Sequence, residues 1–138
     1  RMTFVIDCSV VSGWILASQS DAYTDAIANR LITERAAAPM LLPLEYSNLL
    51  RSACLRGKLV ASEAQVAIAA LARLPIAIDS EPPAPAALLA LALRFGLTTY
   101  DAMYLDLALR RQVPLATRDA DLIAAAQASG VGLVPALD

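Results

Sequence analysis

The 138-residue chain contains no histidine. That absence removes Ser-His triads, imidazole acid–base pairs and every histidine metal site, so whatever chemistry the protein performs must use carboxylates. Cysteine is scarce as well. Cys8 and Cys54 have neither Cys-x-x-Cys spacing nor a dense framework, which argues against zinc and a disulfide scaffold and for reduced thiols in a cytosol. Charge makes up only 17% of the residues, and 11 Lys and Arg face 13 Asp and Glu, for a net charge of −2 and a pI near 5.0. Non-specific coating of nucleic acid depends on phosphate neutralisation by Lys and Arg, so this balance speaks against it while leaving room for a local basic rim. The single lysine is Lys58, and the other ten cations are Arg, the better residue for forked contacts to phosphate.

A long clean apolar run is also missing. Hydrophobic residues reach 58% and the mean hydropathy is +0.56, with alanine supplying much of the excess. Yet the longest uncharged run, Leu122 to Leu137, contains Gln127, two glycines and Pro135, and it falls short of the roughly 18 apolar residues of a membrane span. A soluble, cytoplasmic protein with no membrane partner is expected, its surplus apolar surface meeting a partner or a second copy. Met2 leads directly into a strand, so no signal peptide is expected, and Arg1 ahead of it reads as a residue foreign to the natural sequence.

The length suits one domain over residues 1–138. Thr3 to Ile6 reads as a strand buried on both faces, ending at Asp7. Ser9 caps a helix from Val10 to about Ala17, and a second helix runs from roughly Ala22 to Ala36. Met40 to Leu42 reads as the second strand, with Pro43 at the first position of a helix that continues to Leu55 and carries Glu45 in its first turn. Ser62 caps a helix to about Leu74, Ile76 to Ile78 is a third strand, and Ala86 to Phe95 is a helix closed by Gly96. Thr98 or Thr99 caps Tyr100 to Arg111, Leu115 to Thr117 is a fourth strand, and a helix from about Ala120 ends near Gly130. Gly132 to Val134 offers a last strand. The rhythm predicts an α/β fold, a short parallel sheet with helices on both faces.

Four acids stand out by position. Each has a bland explanation: Asp7 as a turn or capping residue, Glu45 and Asp101 as first-turn acids favoured by the helix dipole, Asp119 as an N-cap. Jointly they differ, because all four sit where a strand or loop feeds a helix, and in a right-handed parallel sheet those junctions share one edge. Carboxylates gathered there repel unless a cation compensates them. An oxygen-only donor set suits Mg²⁺ or Mn²⁺, which binds substrate phosphate, and the natural reaction is metal-assisted phosphodiester hydrolysis.

The segments FVIDCS (Phe4 to Ser9), LPLEYSNLLR (Leu42 to Arg51), GLTTYDAMYLDL (Gly96 to Leu107) and PLATRDADLIAAAQASGV (Pro114 to Val131) together resemble the PIN-domain family, most closely its VapC-type toxins of bacterial toxin–antitoxin pairs. The YDAxYL and ATRD segments at this separation are its most specific features, and the likeness runs from Phe4 to about Val134. It implies a three-layer α/β/α PIN-like domain and Mg²⁺- or Mn²⁺-dependent endoribonuclease activity, with a cognate antitoxin and a homodimer. By the same likeness Asp7, Glu45, Asp101 and Asp119 form the metal-binding, catalytic quartet, with Ser9 and Thr117 as supporting hydroxyls. Asp7 and Asp101 would hold the main ion, Glu45 would orient the attacking water, and Asp119 would complete the cage or a second site. Asp121, two residues beyond Asp119, either shares that role or faces solvent. Asp106, about 140° round the helix from Asp101, points elsewhere. Arg51, Arg56, Lys58 and Arg118 are candidates for a phosphate-gripping rim.

Two other readings compete. A catalytically silent PIN-like module would use the acidic pocket as a socket for RNA or for a partner's arginine. A phosphoacceptor receiver or a haloacid-dehalogenase phosphatase would also place Asp at strand ends. The only lysine follows an internal helix, and Ser9 stands two residues after Asp7 where such a phosphatase needs a second Asp.

Overall fold

A computed structural model describes residues 2–135; the reading of Arg1 falls outside them. Four strands form one sheet in the order β3-β2-β1-β4: β1 (Met2–Ile6), β2 (Arg35–Pro39), β3 (Ile76–Asp79) and β4 (Leu115–Ala116), with every pairing parallel. From β1 the chain moves outward to β2 and β3, and then returns across the sheet to place β4 on the other side of β1. The crevice outside the carboxyl ends of β1 and β4 is therefore the topological switch point, where open parallel sheets form their sites.

Seven helices cover the sheet: α1 (Cys8–Ile15), α2 (Ala22–Arg30), α3 (Leu41–Leu55), α4 (Ala61–Leu71), α5 (Pro85–Phe95), α6 (Thr99–Arg111) and α7 (Ala120–Ser129). The strands split the core by alternation. Phe4, Ile6, Ala36, Ala38 and Ala116 face one side and pack with α1, α2 and α3 through Val10, Ile27, Leu42, Tyr46 and Leu50. Val5, Ala37 and Leu115 face the other side, against Tyr104, Leu105 and Leu107 of α6 and Leu122 and Ala125 of α7. This is the expected three-layer α/β/α arrangement, and the period of two within strands too short to reach water makes both faces apolar.

The second strand corrects the sequence reading. Arg35 to Pro39 forms β2, whereas Met40 to Leu42, expected as that strand, lies in a turn and the start of α3. Alanine favours helix, which made 35–38 look like the tail of the preceding helix; burial between two helical layers overrides that preference, because small side chains let α1, α3 and α6 approach the sheet. The helix expected to reach Ala36 accordingly ends at Arg30. Since α3 begins at Leu41, Pro43 occupies its third position rather than its first, still among the residues whose N–H has no partner within the helix.

Other boundaries move less. Asp7, not Ser9, is the N-cap residue of α1. In α4, Glu63 reaches back to the Val60 N–H at 2.9 Å, so the helix starts at Ala61 without Ser62 as its cap. Thr98 is the cap of α6, its Oγ1 accepting from the Asp101 N–H at 3.1 Å. The strand expected over Gly132 to Val134 reduces to a single parallel bridge between Leu115 and Leu133. At the far end of α6, Arg110 binds Asp79 and Asp106 at 2.9 Å and Glu81 at 3.0 Å, which ties the end of β3 to this helix. Asp106 is thus paired on the outer surface, as its angle from Asp101 predicts. Among the described residues no single helix is long and apolar enough to cross a membrane.

Candidate functional site

All four singled-out acids lie at the carboxyl end of the sheet. Asp7 follows β1 directly and is buried, 4% exposed. Its Oδ1 accepts from Ser9 Oγ at 2.6 Å and its Oδ2 from Thr117 Oγ1 at 2.7 Å, so each supporting hydroxyl holds one carboxylate oxygen. Thr117 in turn accepts from the Asp119 N–H at 3.0 Å, which links the β1 end to the loop after β4. Asp119 caps α7, its Oδ2 accepting from the Leu122 N–H at 2.9 Å and its Oδ1 left available. The bland reading of Asp119 as a cap is correct, and it leaves one oxygen for other work.

Glu45 differs from expectation. It sits in the second turn of α3, beyond the reach of the helix dipole, so the dipole does not account for it. Its Oε1 instead accepts from the hydroxyl of Tyr104, a fully buried residue of α6. On sequence alone Tyr104 has no role at the site beyond its place in the YDAxYL segment. The available signal was spacing: Tyr104 stands three residues after Asp101, on the same face of the helix. Asp101 is half-buried in the first turn of α6.

The electrostatics bind the set together. Burial pushes the Asp7 carboxyl up to about 6, against the lowering effect of Ser9 and Thr117 and with the charges of Asp119 and Glu45 adding to it. Glu45 is raised by burial and by Asp101, while Tyr104 opposes the shift. Asp101 is raised by burial and then by Asp119 and Asp121. Asp121 is exposed on the first turn of α7, yet its charge is felt at Asp101. Each of the four acids therefore feels or exerts a charge within the set. Among the described residues, no three of them close on a common point at metal-ligand distance. The donor set still suits a hard cation: it is all oxygen, and Asp7, Glu45 and Asp119 are each fixed by hydrogen bonds that leave lone pairs for a ligand.

The expected basic rim is redistributed. Arg118 is not available to it: Nε donates to Ser9 O at 2.8 Å, Nη1 to Gln19 O at 2.7 Å and to Asp21 Oδ2 at 3.0 Å, and Nη2 to Ser9 O and to Ser12 Oγ at 3.1 Å. Its main-chain N–H also donates to Ser9 Oγ at 2.9 Å. Arg118 thus fastens α1 and the 3₁₀ turn at 17–19 to the loop that carries Thr117 and Asp119. Arg51 is exposed on α3, about 240° round the helix from Glu45, and points away from the acids. Arg56 and Lys58 border a cleft of about 420 Å³ between α1 and α3 that has Ser9 and Glu45 at its other end. Cys8 also lines this cleft, with burial pushing its thiol up to about 12, so it stays protonated and unreactive; both cysteines are free.

Comparison with known proteins agrees with this architecture. A stretch of 90 residues is 40% identical to Ribonuclease VapC1 from two strains of Mycobacterium tuberculosis; it covers 64% of this chain and 65% of each relative, just under two thirds of either. The crystal structure of PAE2754 from Pyrobaculum aerophilum superposes with a TM-score of 0.65 and 26% identity, over 90% of this chain and 79% of that one. The PIN domain family matches residues 4–128, a span that takes in all four acids, both supporting hydroxyls and the sheet from Phe4 of β1 through β4, and the chain is a member of that family.

Proposed function

We propose that the protein is a metal-dependent endoribonuclease that acts as the toxin of a type II toxin–antitoxin pair, with RNA as substrate in the cytoplasm. The observation that carries the reading is the gathering of Asp7, Glu45 and Asp101, each raised chiefly by burial and further by a neighbouring acid, at the β1/β4 switch point of a PIN domain. Such destabilised charge is the mark of a site made for a cation or for proton transfer. Similarity to a protein named as a ribonuclease supports RNA as the substrate class, and the resemblance to VapC-type toxins implies an antitoxin as the partner.

Asp7, Asp101, Asp119 and Glu45 would hold Mg²⁺ or Mn²⁺. When bound, the ion lowers the pKa of water and offsets the charge that builds on the phosphoryl oxygens. Ser9 and Thr117 keep Asp7 aimed into the crevice. Glu45, anchored through Oε1 to Tyr104, keeps Oε2 for the attacking water and accepts its proton. That water bonds to phosphorus as the bond to the 3′ oxygen breaks, and the leaving 3′ oxygen takes up a proton from solvent, giving a 5′-phosphate and a 3′-hydroxyl. With no histidine in the chain, an imidazole-driven cyclic-phosphate route has no acid–base pair. The exposed apolar side chains Leu89 and Leu93, one turn apart on α5, support a homodimer.

The test is cleavage of pooled tRNA and ribosomal RNA by antitoxin-free protein with Mg²⁺ or Mn²⁺, with chelator, and with Asp101→Asn. Discrete fragments that require both metal and Asp101 are expected. Equal silence of wild type and variant across the pool would remove the enzyme reading in favour of a binding module.

A further inference from the structure

The acidic end of the sheet poses a problem for the substrate it is read to cut. Phosphodiester chains are negative at every step, and four carboxylates repel them. Some cation must grip the strand beside the site. Arg118, the nearest by sequence, has all its donors taken up within the chain, and Arg30, Arg110 and Arg111 are in ion pairs with Glu34 and Asp79. Arg56 and Lys58 have no ion-pair partner among the described residues, and both border the cleft that ends at Ser9 and Glu45.

The cleft has a direction. Glu45, Asn48, Ser52 and Arg56 recur at intervals of three and four along α3, so they form one stripe that runs down the cleft wall. Eleven residues of helix separate Glu45 from Arg56, about 16 Å along the axis. The stripe begins with a carboxylate, passes an amide and a hydroxyl, and ends in two cations, since Gly57 turns the chain at φ +72° and Lys58 follows. A volume of about 420 Å³ is that of a small-ligand site, which suits a few nucleotides of an unpaired strand better than a duplex.

We infer that this α1/α3 cleft is the track for single-stranded RNA, with Arg56 and Lys58 gripping backbone phosphates a few nucleotides from the bond that is cut. Asn48 and Ser52 supply neutral hydrogen bonds along the way, and the grip is sequence-independent because it falls on phosphates. This rests on the ribonuclease reading and adds to it the strand's path and its single-stranded form.

The test uses the Arg56→Glu/Lys58→Glu double variant, with Arg35→Glu as control, because Arg35 is exposed at the opposite edge of the sheet. Cleavage of a single-stranded RNA that wild type cuts is measured as KM and kcat. Binding of the same RNA is measured against salt in the Asp101→Asn background. The double variant should raise KM about tenfold or more with kcat nearly unchanged, and should lower the salt slope by about 1.4, two contacts at ~0.7 each for a single strand. Arg35→Glu should match wild type. KM and slope equal to wild type, or an equal loss in Arg35→Glu, would overturn the track. So would unchanged RNA binding together with loss of affinity for an acidic peptide that wild type binds, which would assign the cleft to a protein partner. Should charge reversal impair folding, Arg56→Gln/Lys58→Gln carries the same expectation for the slope. If wild type itself neither cuts nor binds RNA, the ribonuclease reading fails; if wild type cuts and the double variant cuts equally well, only the track fails.

Discussion

At the scale of single residues, the informative contact is the one between Tyr104 and Glu45. The tyrosine hydroxyl is buried and its pKa is pushed far up by that burial and by Glu45, so it stays a donor at any working pH. Glu45 is raised by burial and held down by this donation. Removing the hydroxyl in Tyr104→Phe takes away the lowering influence, and the Glu45 pKa should climb further. A hydrogen bond to a charged group is worth roughly 1.5–3 kcal/mol, so a rise of about one to two units is expected. The acid limb of kcat/KM for RNA cleavage should move to higher pH by that amount, and the melting temperature should fall with loss of the contact. Superimposable pH profiles for wild type and Tyr104→Phe would show that Glu45 does not act through this contact.

Between elements, the position of Asp7 and Ser9 depends on how closely α1 approaches α2. Gly13 makes the approach possible: a Cβ there would lie 2.6 Å from Thr24 Cγ2, and Thr24 is fully buried. Trp14 reinforces the contact, its Nε1 donating to Thr24 O at 2.7 Å. Helix propensity alone predicts that Gly13→Ala stabilises α1 by up to about 1 kcal/mol. Overpacking a closed core costs about 1–3 kcal/mol and should win. A lower urea midpoint with an unchanged slope is expected, and a midpoint above wild type would mean that the two helices can part without cost. Arg118 works at this scale too. It joins α1 to the β4–α7 loop, so the two halves of the acidic site move as one body.

For the molecule as a whole, the buried acid is a burden that pH should reveal. Asp7 rises from 3.8 to about 6 chiefly through burial. The folded state then binds more protons than the unfolded chain between those values, and stability falls as pH rises across that window. The total is about 3 kcal/mol, since each unit is worth 1.36 and the group is almost fully buried. Asp79 has the opposite sign: burial pushes it up, but Arg110 and Arg111 outweigh burial and hold it below the usual range, so its contribution is lost as pH falls. Asp7→Asn removes the first effect and keeps the second. The difference in melting temperature between Asp7→Asn and wild type should therefore widen from pH 4 to pH 7 in metal-free buffer. Saturating Mn²⁺ should narrow it again, by about 2.7 kcal/mol at a hundredfold excess over Kd. Parallel curves for the two proteins would mean that Asp7 carries no burial penalty.

Much of this was legible in the sequence because the signals are local. Thr98, Asp119 and Gly96 mark helix ends through chemistry within one turn, and the absence of histidine alone narrowed the chemistry to carboxylates. The motifs around Asp7 and Asp119 were readable for the same reason, since a short strand followed by a capped helix puts its junction residues at the sheet's edge whatever the rest of the chain does, and Asp101 was readable from the Thr98-capped first turn of its helix. Three features were decided only by tertiary structure. The alanines of β2 favour helix, and only burial on both faces makes them a strand. Glu45 was placed one turn too early, and its partner lies 59 residues away, beyond the reach of any local pattern. Arg118 resembled a phosphate contact until the fold brought the carbonyls of Ser9 and Gln19 to its guanidinium. Local sequence determines which groups can act, because capping and turn chemistry are short-range; which groups remain available depends on what burial and packing bring within hydrogen-bonding distance.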